Sequence, residues 1–172
     1  MTTAPSDLAI RFATVQDCAT ILSFIRELAE YERLLDEVVA DEAALKASLF
    51  GDKPAAEVLL AELSGAPVGF ALFFQSYSTF LAKPGLYLED LFVRPEVRGR
   101  GVGLALMSAL ARIATQRNYG RFEWSVLAWN EPSLKFYESL GAGQMRDWMG
   151  HRLIGPSLHT LAGRWPHPVG KT

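Results

Sequence analysis

Arg98-Gly99-Arg100-Gly101-Val102-Gly103 holds residue types that suit the binding of a phosphate group. Glycines let successive backbone N–H groups turn toward one point and let an anion approach without a Cβ in the way. The run joins an apolar, strand-like stretch from Leu86 to Val93 to an amphipathic helix that starts near Gly103. The helix N-terminus adds roughly half a positive charge, and the two arginines add mobile charge. A glycine-rich turn can also be a plain strand-to-helix connection. The common nucleotide fingerprints do not fit: Gly-x-x-x-x-Gly-Lys-Ser/Thr is absent, and a turn near residue 100 is late for a dinucleotide-binding unit.

Carboxylates are the second chemical feature. Glu89 and Asp90 interrupt an otherwise apolar strand, and buried charges are costly unless they are used or paired. Adjacent strand residues face opposite sides, so at most one of the two points at any given cleft; the plain alternative is a structural pair to an arginine. A third carboxylate follows from helical geometry. At about 100° per residue from Ile21, Glu32 falls at roughly 20°, inside the apolar arc of Ile25, Leu28 and Ala29. It therefore faces inward, as a buried salt bridge or as a counter-charge for a cationic substrate. Glu27 and Glu30 fall on the opposite side with Arg26, as solvated charges. Tyr137 is a phenol that stays protonated at neutral pH and can donate, although Phe136-Tyr137 alone reads as core packing.

The elements that must position these groups are legible. Leu8 to Phe12 reads as a strand, and Thr14 with Asp17 as a capping-box helix start. A helix runs to about Leu35 and a shorter one spans Asp41 to Leu49. Ala56 to Leu63 and Val68 to Tyr77 form a hairpin around Ser64-Gly65-Ala66-Pro67. Leu86 to Val93 is a strand, and Leu104 to Arg117 a helix with Met107, Leu110, Ala111 and Ala114 on one side. Arg121 to Ala128 is a strand; Pro132 opens a helix that Gly141 ends. His151 to Ile154 is a candidate strand and Ser157 to Ala162 a helical turn. The order βααβββαβα plus a final strand predicts an α/β fold with a mixed, mostly antiparallel sheet.

Length and composition narrow the class. The 172 residues, 49% hydrophobic and 21% charged, suit one soluble domain over 8–163, with loose termini at 1–7 and 164–172. A net charge of −2 speaks against nucleic acid as a partner, so the local arginines serve a smaller anion. The one cysteine, Cys18, lies on the apolar arc of the first helix and reads as packing. No apolar run of spanning length and no basic-then-apolar leader is present, which argues against a membrane and for the cytoplasm. The three histidines, His151, His159 and His167, have no ligand partners nearby, so no metal is expected.

A downstream motif, Trp129-Asn130-Glu131-Pro132-Ser133-Leu134-Lys135-Phe136-Tyr137 through Gly141-Ala142, joins the glycine turn. Together the two resemble the GNAT superfamily of N-acetyltransferases, from about Ile10 to Ala162. Asp17-Cys18, Glu27-Leu28-Ala29 with Tyr31-Glu32, Tyr87-Leu88-Glu89-Asp90 and Trp129 to Ser133 look like its diamine/polyamine branch, the spermidine/spermine and thialysine acetyltransferases.

The resemblance implies the acetyltransferase fold, with helices flanking the sheet and a splayed strand pair that binds acetyl-CoA. It places the pyrophosphate on the amides of Gly99, Arg100, Gly101, Val102, Gly103 and Leu104, with Arg98 and Arg100 adding charge. The pantetheine arm would pair with Leu91, Phe92 and Val93. Asn130, Pro132 and Ser133 would line the far side of the cleft, although Asn130 also suits a helix cap. Tyr137 would be the acid for the leaving thiolate and Glu89 the base for the amine, through a water. Asp90 would orient the network or a dimer partner. Tyr31 and Glu32 would contact the acceptor, and Ser78 would bond the amino acid end of a thialysine-like one. His151 stands where the nearest polyamine enzymes carry Trp, which weakens the case for long polyamines. A homodimer with C-terminal segments against the neighbour is implied as well. The expected reaction is direct acetylation of a small primary amine. Its rivals are acetylation of a protein lysine or N-terminus, and a non-catalytic acyl-CoA-binding module.

Overall fold

The Leu8–Phe12 run forms strand β1, and a single 3₁₀ turn at Val15–Asp17 leads into helix α1, Cys18–Glu32. The expected cap is present, since the Asp17 carboxylate accepts from the Thr14 N–H at 2.7 Å. Helix α1 stops short of Leu35 because Arg33 turns left-handed at φ 63°. Helix α2, Glu42–Phe50, starts at Asp41, whose side chain accepts from the Ala44 N–H at 2.8 Å. Strands β2 (Glu57–Leu63) and β3 (Ala66–Ser78) follow, then β4 (Lys83–Val93), helix α3 (Val102–Gln116), and β5 (Phe122–Trp124). The hairpin loop is only Ser64-Gly65, both at positive φ, because Leu63 already pairs with Ala66. These elements come from a computed structural model that describes residues 5–165, 167, 169 and 170. The expected loose positions 1–4, 166, 168, 171 and 172 lie outside the described residues.

The sheet runs β1-β2-β3-β4-β5, antiparallel through β4 and parallel between β4 and β5. The parallel pair needs a crossover, and α3 supplies it. Helix α1 covers one face: Phe24, Phe70 and Phe92 meet there, with Phe24 stacked on Phe70 at 5.5 Å between ring centres. Helix α3 packs on β1 through β4 and buries Val102, Leu106, Met107, Leu110 and Ala114. Ala111, expected inward, is exposed, and Leu106 is buried instead: at about 100° per residue Ala111 lies roughly 100° round the helix from the buried Leu110, whereas Leu106 lies roughly 40° from it.

The chain divides after Ser125 into two compact units. The second unit holds α4 (Glu131–Ser139) and α5 (Gly155–Ala162). Two expectations fail here. The strand predicted over Arg121 to Ala128 ends at Trp124, and His151 to Ile154 is irregular and exposed, so the predicted final strand is absent among the described residues.

Candidate active site

After β4 the chain makes a short 3₁₀ turn, Pro95–Val97, pinned by the buried Val97. Gly99 and Gly101 then take φ of 75° and 83°, values that a side chain disfavours. Gly101 caps α3, and its carbonyl accepts the first helical bond, from Ala105 N–H at 2.9 Å. The first-turn amides of Val102, Gly103 and Leu104 therefore have no intrahelical acceptor and lie at the positive end of a 15-residue helix. Arg100 is exposed. Arg98 is held: its Nε donates to the Val93 carbonyl at 2.8 Å, and its guanidinium lies 4.8 Å from the Tyr31 ring centre and 5.6 Å from that of Phe92.

The strand that feeds this turn opens where expected. Pairing of β4 with β5 covers Leu86↔Phe122, Tyr87↔Glu123 and Leu88↔Trp124 and goes no further. On the other edge, Leu91, Phe92 and Val93 remain paired to Ala71, Phe70 and Gly69. The approach there is tight: a Cβ on Gly69 would lie 2.7 Å from the Phe92 carbonyl oxygen. The β5 side of residues 91–93 thus presents backbone groups outside that ladder, as an extended amide-bearing arm requires.

Where the opening begins, the strand is irregular. Leu72 pairs with Asp90 and Phe73 with Leu88, so Glu89 is an extra residue in a β-bulge. Bulges re-aim side chains, so the strict alternation of the two carboxylates does not hold. Both carboxylates stood in a run expected to be buried; Glu89 is exposed and Asp90 half-buried. Burial pushes the Asp90 carboxyl up to about 6, helped by the nearby negative charges of Glu89 and Glu32. Glu32 is half-buried at the end of α1, as the helical arc required, and burial pushes its pKa up too. No ion pair joins Glu32, Glu89 or Asp90 to a cation among the described residues. Nor do described residues form a cluster able to hold a metal ion.

Glu27 is not the solvated charge that its helical position implied. Arg94, at the end of β4, donates Nε to Glu27 Oε2 at 2.9 Å and Nη2 to Oε1 at 2.8 Å, and holds that carboxyl below the usual range. The same guanidinium lies 4.9 Å from the Phe24 ring centre and bonds the Pro67 carbonyl, fastening α1 to the sheet. Its sequence signal was a lone arginine right after an apolar strand.

Within the second unit, Asn130 is buried and caps α4, its Oδ1 accepting from the Ser133 N–H at 3.3 Å. Pro132 sits in the first turn, and Gly141 ends the helix at φ 81°. Tyr137 packs against Phe136 with ring centres 5.3 Å apart, and burial pushes its phenol up to about 12, so it carries its proton at any physiological pH. Ser78 is buried at the other end of β3, its Oγ accepting from the Leu81 N–H at 3.3 Å. It pairs with Lys83, six residues from Glu89 along β4, which is roughly 20 Å at strand rise. Glu32 and Glu89 both act on Asp90, whereas Ser78 of the same chain stands apart from Glu89 along the strand.

A sequence profile of the acetyltransferase (GNAT) family matches residues 21–142, the span that holds the glycine turn, the bulged strand and α4. The chain belongs to this family. It is 38% identical over 170 residues to the thialysine N-epsilon-acetyltransferase of Sus scrofa, covering 92% of this chain and 99% of that protein. The L-ornithine N5-acetyltransferase NATA1 of Arabidopsis thaliana is 32% identical, with 88% and 86% covered. Among solved structures, an integron cassette protein from the mobile metagenome of V. cholerae superposes with a TM-score of 0.78 at 28% identity, covering 92% of this chain and 99% of that one. Acetyl-CoA is the co-substrate of GNAT acetyltransferases, and the positive-φ glycines, the first-turn amides of α3 and the open edge of β4 have the chemistry to fit such a group. The chain is an N-acetyltransferase of small amines.

Proposed function

We propose that the acceptor is a small primary amine with a second cationic or zwitterionic end: a diamine, a polyamine or a lysine analogue such as thialysine. The observation that carries this reading is the set of three carboxylates, Glu32, Glu89 and Asp90, without a cationic partner among the described residues, at the point where β4 leaves β5. A buried or half-buried carboxylate with no counter-ion is unfavourable in the free protein and becomes favourable when an ammonium arrives. The similarity to thialysine and ornithine acetyltransferases supports the same class.

Bound acetyl-CoA supplies the thioester carbon that the amine attacks directly. The amides of Gly99 to Leu104, with Arg98 and Arg100, hold the pyrophosphate, and the backbone of Leu91, Phe92 and Val93 pairs with the pantetheine arm. Asn130, Pro132 and Ser133 belong to the cofactor site as well. Glu89 takes the proton of the attacking ammonium; its exposure suits transfer through a water. Tyr137 gives its proton to the departing thiolate, and its raised pKa keeps that proton available. Glu32 and Tyr31 select the acceptor. Ser78 would meet the distal end of an acceptor only in an assembled form, given its separation from Glu89. A homodimer supplies that assembly, and the exposed Trp148, Met149 and Trp165 of the second unit supply apolar surface for it. The proposed compartment is the cytoplasm, in keeping with a single, unpaired cysteine; localisation of a tagged copy tests it.

Acetyl-CoA turnover against diamines, polyamines, lysine analogues, neutral monoamines and peptides tests the acceptor class. Turnover confined to peptides would replace this reading with a protein acetyltransferase. Tight CoA binding without turnover of any acceptor would leave a binding module.

A further inference from the structure

Tyr31 sits one residue before the selectivity carboxylate Glu32, yet its ring face is committed elsewhere. The Arg98 guanidinium lies over it at 4.8 Å, within cation–π range, and over the buried Phe92 at 5.6 Å. The Arg98 Nε is fixed to the Val93 carbonyl at 2.8 Å. One exposed arginine is therefore held at three points, by α1, by the β4 ring row and by the strand's last carbonyl. A guanidinium carries five N–H donors in a rigid fork. Only Nε is used within the described residues, so both Nη groups remain for an anion while two rings set the plane of the fork.

Arg98 opens the glycine turn, and Tyr31 also packs on the aromatic core cluster, which anchors its own position. A long, mobile side chain loses rotamer freedom when it grips an anion; one that is already stacked loses less. We infer that Tyr31 is a positioning residue for the cofactor: its ring pre-orients Arg98 for the pyrophosphate, so the last turn of α1 serves acetyl-CoA binding as well as acceptor choice. This inference rests on the reading of the turn as the CoA site. It gives Tyr31 a role separate from direct contact with the amine.

Calorimetry with CoA and with pantetheine, which lacks the pyrophosphate, tests it on the full chain. Tyr31→Leu is expected to weaken CoA roughly three- to tenfold, the loss of one cation–π contact. Pantetheine affinity should stay within twofold. Tyr31→Phe, which keeps the ring, should bind CoA like the wild type, and Tyr31→Leu should cost nothing further in an Arg98→Leu background. Equal losses for CoA and pantetheine would reduce Tyr31 to structural support and overturn the inference. So would an unchanged CoA affinity in Tyr31→Leu with a raised amine KM, which would make Tyr31 an acceptor contact only. If the wild type itself fails to bind CoA, the reading of the turn falls first and the inference with it, a result distinct from either of those.

Discussion

Asp90 pays an electrostatic penalty in the fold that Glu89, its exposed neighbour, escapes. In the unfolded chain its carboxyl titrates near the ordinary 3.8; in the fold, burial and the charges of Glu89 and Glu32 raise it to about 6. Well below pH 3.8 the group is neutral in both states and the penalty is absent. As pH rises from there through about 6 the unfolded carboxyl ionises first, the native one must ionise against its surroundings, and stability falls. Asp90→Asn is therefore expected to stabilise the protein by about 1–2 kcal/mol at pH 7.5, after a discount for partial exposure, and to leave it nearly unchanged at about pH 3. Urea unfolding at the two pH values measures it; an equal gain at both would mean that charge is not the cause. Tyr137 is the opposite case, a group whose burial keeps it in its useful protonation state. Tyr137→Phe is expected to lower kcat by about 10²- to 10⁴-fold, with acetyl-CoA affinity within a few-fold. Steady-state kinetics and calorimetry separate the two quantities, and an unchanged kcat with chemistry rate-limiting would return Tyr137 to core packing. The sequence displayed Glu32 well, because helical phase alone turns it inward. It left open which of Glu89 and Asp90 is the more buried, and period-two alternation carries no sign of the bulge that decides it.

At the level of elements, the glycine turn was readable because glycine is the residue that positive φ demands, and Gly99 and Gly101 both take it. On the proposed amide cradle, Gly101→Val is expected to weaken CoA binding far more than Arg100→Ala, because backbone amides fixed by the fold would make the main contacts and Arg100 is exposed. Calorimetry of both variants decides it, with equal affinities contradicting an amide cradle. The start of the opening between β4 and β5 was also foreseeable in kind, although β5 proved much shorter than its apolar run. Glu27 shows the limit of helical phase. Its angle put it outside, but an arginine from the end of β4 reaches across to meet it, and sequence separation hides such long-range pairs.

For the whole molecule, strand order and mixed pairing follow from the βααβββαβ succession: α1 and α2 return the chain antiparallel beside β1, short loops join β2 to β3 and β3 to β4, and the one parallel pair takes one crossover helix. The second unit was read less well. From Gly143 to Ile154 the segment has neither helix nor strand, the candidate strand at His151 to Ile154 included. Its exposed Trp148, Met149 and Trp165 bear on assembly: sedimentation equilibrium is expected to give a species of twice the 19.0 kDa chain mass, and a single 19.0 kDa species would contradict the dimer. The proposed acceptor choice joins these scales, since it would depend on one helix end and one bulged strand placing carboxylates together. The most direct test is the ratio of kcat/KM for a short diamine to that for a neutral-ended monoamine of equal length, in the wild type and in Glu32→Gln. The wild type should prefer the diamine, and Glu32→Gln should shrink that preference by roughly 10- to 100-fold, the loss of one charge-assisted hydrogen bond of about 1.5–3 kcal/mol. A wild type indifferent to the second charge, or a Glu32→Gln variant with the preference intact, would contradict recognition of the acceptor by its distal cation.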